Sequence, residues 1–253
     1  MDSLKMYSVD SLRVEVYHNR GLCGVAAGRA AENCIRLAIQ KQGYCRVIFA
    51  AAPSQNEVLA YLCTITSIDW SKVHAFHMDE YLGLPQEASQ RFSSYLRERL
   101  FFKIPNVQYL GLGMVNPEVE SLRYSTLLEE LPIDLVCLGV GENGHIAFND
   151  PQVAEFYDAR LVKIVDLDIK CRIQQVNDGC FSSLDAVPPQ ALTLTIPAIM
   201  RAKTLVCTVP GNTKAHAVKD MLSGSIVTAC PASILRIHKD CTLYLDSDSA
   251  ELI

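Results

Sequence analysis

Apolar and polar positions along this chain follow two rhythms, and the switches between them mark the expected elements. From Ala26 to Gln42, residues Ala27, Ala30, Ala31, Cys34, Ile35, Leu37 and Ala38 share one side of a helical projection, which predicts an amphipathic helix. The run Cys45 to Ala52 is short and largely apolar, as suits a parallel strand buried on both faces. Ser54-Gln55-Asn56-Glu57 has the spacing of a capping box in front of Val58, Leu59 and Leu62, so a helix is expected there. A strand at 73–77, a helix at 91–102, a short strand at 107–112, a helix at 118–131 and a strand at 133–140 follow. From about Pro151 to Pro189 the rhythm loosens, with a strand expected only at 163–168. Regularity returns at 191–196, then as a strand at 203–209, helices at 212–222 and 231–237, and a last strand at 241–246.

Strands that alternate with helices imply a mainly parallel sheet covered on both faces. The expected fold class is therefore α/β, a single-domain Rossmann-like three-layer sandwich. No repeat, low-complexity tract or Pro/Gly/Ser-rich linker divides residues 1–253, and that length suits one domain with a well-buried core.

Composition narrows the function. Apolar residues make up 49% of the chain and charged ones 20%, the balance of a soluble globular protein. A formal net charge of −5 argues against nucleic acid as the main partner, because phosphate-backbone binding needs a basic surface. No run reaches the roughly 18 apolar residues of a membrane span. The opening Met1-Asp2-Ser3-Leu4-Lys5-Met6 lacks the basic-then-apolar order of a signal peptide, so a cytoplasmic location is expected. The ten cysteines show no C-x-x-C spacing, and Cys34, Cys137 and Cys207 sit in apolar runs. They read as buried free thiols rather than as a disulfide framework or a metal site.

Two strand ends carry the candidate chemistry. The expected strand at 133–140 runs into Gly141-Glu142-Asn143-Gly144-His145-Ile146-Ala147-Phe148-Asn149-Asp150, which sets polar groups at the carboxyl edge where open α/β sheets bind ligands. His145 can trade a proton near neutral pH, and Asn143 or Asp150 could fix its tautomer. The strand at 73–77 ends in Asp79 and Glu80, flanked by Phe76, Met78 and Tyr81, so partial desolvation would raise a carboxyl towards the range of a useful base. The competing reading is that one acid caps the next turn while the other is solvated. Ser54 opens a helix after the small residues Ala50, Ala51 and Ala52, where exposed backbone N–H groups could meet an anion. Lys214, in Gly211-Asn212-Thr213-Lys214, stands where a helix dipole disfavours a cation, which points to an anionic ligand.

Together these segments resemble the glucosamine-6-phosphate deaminase (isomerase) family, whose superfamily includes 6-phosphogluconolactonases. The resemblance rests on Met78-Asp79-Glu80-Tyr81-Leu82-Gly83-Leu84, on Gly139 to Asn149, on Ala191-Leu192-Thr193 and on Gly211-Asn212-Thr213-Lys214, and it spans about residues 10–248. It implies ring opening of an amino-sugar phosphate, proton transfer between C2 and C1, and release of ammonia, without metal or organic cofactor. Asp79 then matches the proton shuttle and His145 the ring-opening group, held by Asn143 and Asp150. Lys214, Ala51, Ala52 and Ser54 match the phosphate site. A small-molecule sugar phosphate is the expected partner, and a homo-oligomer is possible within such a family.

Departures from the family pattern bear on the substrate. Asn143 stands where family members have Asp, and Asp150 where they have Glu, which implies a weaker ring-opening step. A phosphate-binding arginine of the family falls near Asn177 or Asp178, leaving Arg172 as the expected substitute. Gln174, Gln175, Asn177 and Asp178 are candidate sugar-hydroxyl ligands. The alternatives are a related sugar-phosphate isomerase or 6-phosphogluconolactonase, or a non-catalytic sugar-phosphate sensor.

Overall fold

A computed structural model describes residues 3–113 and 116–253. A hairpin of β1 (Lys5–Val9) and β2 (Leu12–Tyr17) leads into α1 (Arg20–Gln42), β3 (Cys45–Phe49) and α2 (Asn56–Cys63). Next come β4 (Val73–His77), β5 (Asp79–Tyr81), α3 (Phe92–Leu96), β6 (Gln108–Tyr109) and α4 (Pro117–Glu129). The second half holds β7 (Leu135–Leu138), β8 (Val162–Asp166), α5 (Ile169–Asn177) and β9 (Gln190–Leu194). It ends with α6 (Ile196–Met200), β10 (Thr204–Val209), α7 (Ala215–Ser223) and β11 (Cys241–Asp246).

Eight strands form one sheet in the order β1-β2-β11-β10-β7-β3-β4-β6, parallel throughout except for β1. The expected α/β architecture is therefore observed. Successive side chains of a strand point to opposite faces, and here both faces are covered. Ile48, Phe76, Val136 and Leu138 pack on one side with Tyr124 of α4 and Met221 of α7. Val47, Phe49, Ala75, Leu135 and Cys137 pack on the other with α1 and α2. After β3 the chain builds outward to β4 and β6, then returns to place β7 on the other flank of β3. That reversal opens a crevice at the carboxyl ends of β3 and β7, where ligands bind in open α/β sheets.

A separate three-stranded antiparallel sheet, β5-β9-β8, joins a strand of the first half of the chain to two of the second and was not foreseen beyond the β8 strand. The helix α5 was missed because its amphipathy is inverted. Ile169 and Ile173 are exposed while Gln174 and Gln175 are buried, so the apolar pattern marks no core face. The helix α1 starts six residues before the expected Ala26, where the Asn19 side chain accepts from the Leu22 N–H as a cap. Gly24 blurs the pattern there for a packing reason. A Cβ on it would lie 2.2 Å from Glu57 Cβ on α2.

The expected capping box at Ser54 does not form. Residues Pro53–Gln55 make a 3₁₀ turn without a side-chain cap, and Glu57 instead pairs with Arg20 at 2.6 Å. All ten cysteines are free thiols, with Cys137 and Cys207 buried and Cys34 half-buried. Among the described residues no helix is long and apolar enough to cross a membrane.

At the amino edge of the sheet, the buried Asp134 carboxylate holds three elements together. It accepts from the Arg46 backbone N–H of β3 at 2.9 Å, from Gln42 Nε2 of α1 at 2.9 Å and from Lys203 Nζ before β10 at 2.7 Å. Asp134→Ala strands the buried Arg46 N–H and is expected to destabilise the fold by about 2 kcal/mol. A urea midpoint that does not fall would remove Asp134 from the stability of this edge.

Candidate active site

The carboxyl ends of four parallel strands wall one cavity. Ala50, Ala51, Ala52, Pro53 and Ser54 follow β3, while Met78 and Asp79 follow β4. Gly139, Val140 and Gly141 follow β7, and Pro210, Gly211, Thr213 and Lys214 follow β10. His145, Ala147 and Phe148 complete the wall beyond β7, and Gln174, Gln175 and Asp178 enter from α5. The structure thus brings Asp79, His145, Ala51, Ala52, Ser54 and Lys214 to one place. Asn143 and Asp150 stand directly behind His145.

Asp79 and Glu80 divide the two roles expected of the pair. Glu80 is fully buried and accepts from the Phe92 and Ser93 backbone N–H groups at 3.1 Å each and from Ser93 Oγ at 2.7 Å. A carboxylate at the amino end of α3 is favoured by the helix dipole and meets otherwise unsatisfied N–H groups. Arg91 Nε faces it at 3.3 Å and His77 Nε2 at 3.9 Å. Burial pushes the His77 imidazole down to about 4, so it stays neutral at physiological pH. Asp79 is only 7% exposed, and its carboxyl receives no hydrogen bond from the described residues. Burial, and then the neighbouring Glu80 charge, push its carboxyl well above the usual carboxylate range. Such a group is a stronger base than an ordinary aspartate, and its acid form persists to higher pH.

The loop after β7 aims His145. A Cβ at Gly141 would lie 2.1 Å from the imidazole, so glycine there gives the ring its seat. His145 Nδ1 is 2.7 Å from Asn143 Oδ1 and 3.1 Å from Asp150 Oδ1. Asn143 Nδ2 in turn donates to Asp150 Oδ1 at 2.8 Å. Two acceptors around Nδ1 place its proton there and leave Nε2 with a lone pair. Burial alone would raise the Asp150 carboxyl, but the hydrogen bond and charge of His145, with help from Asn143, hold it below its usual range. The negative charge that Asn143 lacks is therefore supplied by Asp150.

A buried clamp sets the distance between the two strand ends. Asp79 of β5 registers opposite Thr193 of β9, and Thr193 Oγ1 accepts from the Phe148 N–H at 3.0 Å. Asn149 Nδ2 donates to the carbonyls of Ile146 at 3.0 Å and Leu194 at 2.8 Å. From the other side, Gln175 Oε1 accepts from Tyr81 Oη at 2.8 Å, and Gln174 Oε1 accepts from the Glu142 N–H at 3.0 Å. The helix α5 thus ties the Asp79 strand to the His145 loop.

The far end of the cavity is cationic. Lys214 ends a 3₁₀ turn before α7, is 8% exposed, and its Nζ has no partner among the described residues. Burial lowers its pKa, offset in part by Asp178 and Glu142. An orphaned buried ammonium is unfavourable until an anion meets it. Arg20, at the start of α1, also lines the cavity, and sequence reasoning missed it. Its signal was its place just after Asn19, the cap of α1. Arg172, the expected substitute cation, donates instead to the Leu184 and Val187 carbonyls at 2.8 Å and lies outside the wall. Of the expected sugar-hydroxyl ligands, Gln174, Gln175 and Asp178 reach the cavity and Asn177 does not.

A family model described as glucosamine-6-phosphate isomerases/6-phosphogluconolactonase matches residues 22–244. The glucosamine-6-phosphate deaminase of Streptococcus uberis is 37% identical over 187 residues, covering 73% of this chain and 78% of its own length. A solved monomeric glucosamine-6-phosphate deaminase superposes with a TM-score of 0.87 at 27% identity, covering 95% of this chain and 99% of that one. A 6-phosphogluconolactonase from Shewanella baltica shares the fold at a TM-score of 0.77 and 17% identity, covering 97% of this chain and 100% of that one. With most of its length matched, the chain belongs to the glucosamine-6-phosphate isomerase/6-phosphogluconolactonase family.

Proposed function

We propose that this chain is an amino-sugar phosphate deaminase/isomerase acting on glucosamine 6-phosphate or a close epimer. One observation carries the reading: a buried carboxyl, Asp79, and a buried ammonium, Lys214, neither of them with a side-chain partner among the described residues, wall the same cavity, with the His145 imidazole also in the wall. The cation end receives the phosphate through Lys214 and Arg20, with backbone N–H groups of the Ala51–Ser54 turn. That anchorage sets the sugar carbons towards Asp79 and His145.

The chemistry follows from the protonation states. His145 Nε2 accepts the proton of the C1 hydroxyl and returns it to the ring oxygen, which opens the pyranose. Asp150 and Asn143 hold the imidazolium that forms between the two transfers. Asp79 then takes the C2 proton, giving an enolamine, and delivers it to C1. Water adds to the resulting C2 imine, and ammonia leaves the ketose phosphate. Burial suits Asp79 to both directions of transfer, since a raised pKa brings its acid and base forms closer in energy. We place the reaction in the cytoplasm, whose reducing conditions suit ten free thiols.

The first test is ammonia release from glucosamine 6-phosphate by the purified protein. Asp79→Asn is expected to lower turnover by about 10²-fold or more, while the sugar phosphate still raises its melting temperature. Full activity in that variant would remove Asp79 from the mechanism. Hydrolysis of 6-phosphogluconolactone that survives Asp79→Asn would favour the lactonase reading, because ester hydrolysis needs no carbon-acid base. Lys214→Gln is expected to raise KM by about 10–100-fold, the worth of one charge-assisted hydrogen bond, with kcat little changed. An unchanged KM would move the phosphate away from Lys214.

The pH profile checks the carboxyl pair. Only the ionised form of Asp79 abstracts a proton, so kcat/KM falls as pH drops through its pKa, which lies well above 3.8. Glu80→Gln removes the adjacent negative charge and is expected to move this acid limb to lower pH. A limb that stays in place would belong to another group.

A further inference from the structure

Behind the imidazole lies a cluster that the proposed reaction does not use in full. Ligand atoms of His145, Asp150 and Cys171 all fall within 4.8 Å of one another, and all three residues are buried. Cys171 sits in the first half of α5, its Sγ within 4.8 Å of the nearby Asp150 carboxylate oxygen. Asp150 is 0% exposed, and while its Oδ1 serves His145 and Asn143, its Oδ2 has no hydrogen-bond partner among the described residues. A buried carboxylate oxygen left without a donor is unfavourable. It therefore marks a place where a cation would be stabilised. Imidazole nitrogen, carboxylate oxygen and sulfur together form the ligand set of a borderline-soft divalent ion such as Zn²⁺, with one tetrahedral position left for water.

We propose that His145, Asp150 and Cys171 bind Zn²⁺ as an inhibitory site, with the ion held by His145 Nδ1, Asp150 Oδ2 and Cys171 Sγ. The Cys171 thiol loses its proton to solvent when the Zn–S bond forms, so each ion bound releases one proton. The Nδ1 lone pair goes to the ion, and the ring proton moves to Nε2. His145 then has no lone pair facing the cavity and can no longer accept the proton of a substrate hydroxyl. Binding at this cluster and turnover exclude one another through a single tautomer change.

The test separates binding from catalysis. Wild-type protein freed of metal is titrated with Co²⁺, and a thiolate-to-cobalt charge-transfer band is expected to saturate at one equivalent. Zn²⁺ is expected to displace Co²⁺, and calorimetry in two buffers of different ionisation enthalpy should count one proton released. Cys171→Ser is expected to lose the band and to bind Zn²⁺ at least about 100-fold more weakly, since even outer-sphere partners of a metal cost 10–100-fold. Cys180→Ser should change neither reading. Where ammonia release is measurable, Zn²⁺ should inhibit the wild type, EDTA should reverse it, and Cys171→Ser should be resistant. A Co²⁺ spectrum without the thiolate band, or equal Zn²⁺ affinity in Cys171→Ser and wild type, overturns the proposal. The spectrum and the proton count stand whether or not glucosamine 6-phosphate is the substrate.

Discussion

The central strands are buried on both faces, and this constraint places everything else. Every residue of β3, β7 and β11 is buried, and in β10 only Thr204 is partly open. Side chains with both faces covered must be apolar or fully satisfied, so a ligand finds no room on the sheet itself. What remains is the edge where the strands stop. Because the strands run parallel, all their carboxyl ends meet on that one edge. The reversal of strand order between β3 and β7 parts the loops there and leaves the cavity.

Within that cavity, two neighbouring carboxyl groups behave differently because their surroundings do. Glu80 turns into the protein and is saturated by three donors at the head of α3, with Arg91 beside it. Its charge is stabilised, and it anchors β5. Asp79 points the other way along the same strand, meets no donor among the described residues, and carries the electrostatic penalty of burial next to a fixed negative charge. The strand's alternation thus separates a carboxylate satisfied by donors from one whose pKa is raised by burial, over a single residue step.

The small antiparallel sheet converts this local chemistry into a site. Thr193 and Asn149 bind the His145 loop to β9, and β9 carries Asp79 in register. The segment Ala191-Leu192-Thr193 is therefore a spacer between Asp79 and the His145 loop. The helix α5 closes the arrangement through Gln174 and Gln175. Its buried glutamines and exposed isoleucines reverse the usual order because its inner face meets a polar cavity and strand ends rather than a core.

Much of this was legible in the sequence. Apolar runs at β3, β4, β7, β10 and β11 needed no partner information, since a strand buried on both faces writes its burial into every residue. Glycines around His145 and the acids after β4 likewise showed where the backbone stops being core. Other features had no local signal. The exposed hairpin strand β1 lacks alternation, and α5 inverts it. Arg20 reaches the cavity from a helix start thirty residues before the nearest wall loop in the chain, Ala50–Ser54, and its pairing with Glu57 replaces the expected capping box. Whether a side chain is a cap, a clamp or a ligand depends on which distant donor or acceptor reaches it first. Sequence by itself determined the central strands, the family motifs and the polar strand ends, because these depend on local pattern. Tertiary structure alone decided the partners of Glu80, Asp150, Arg20 and Arg172, because hydrogen bonds between distant segments are settled only by packing.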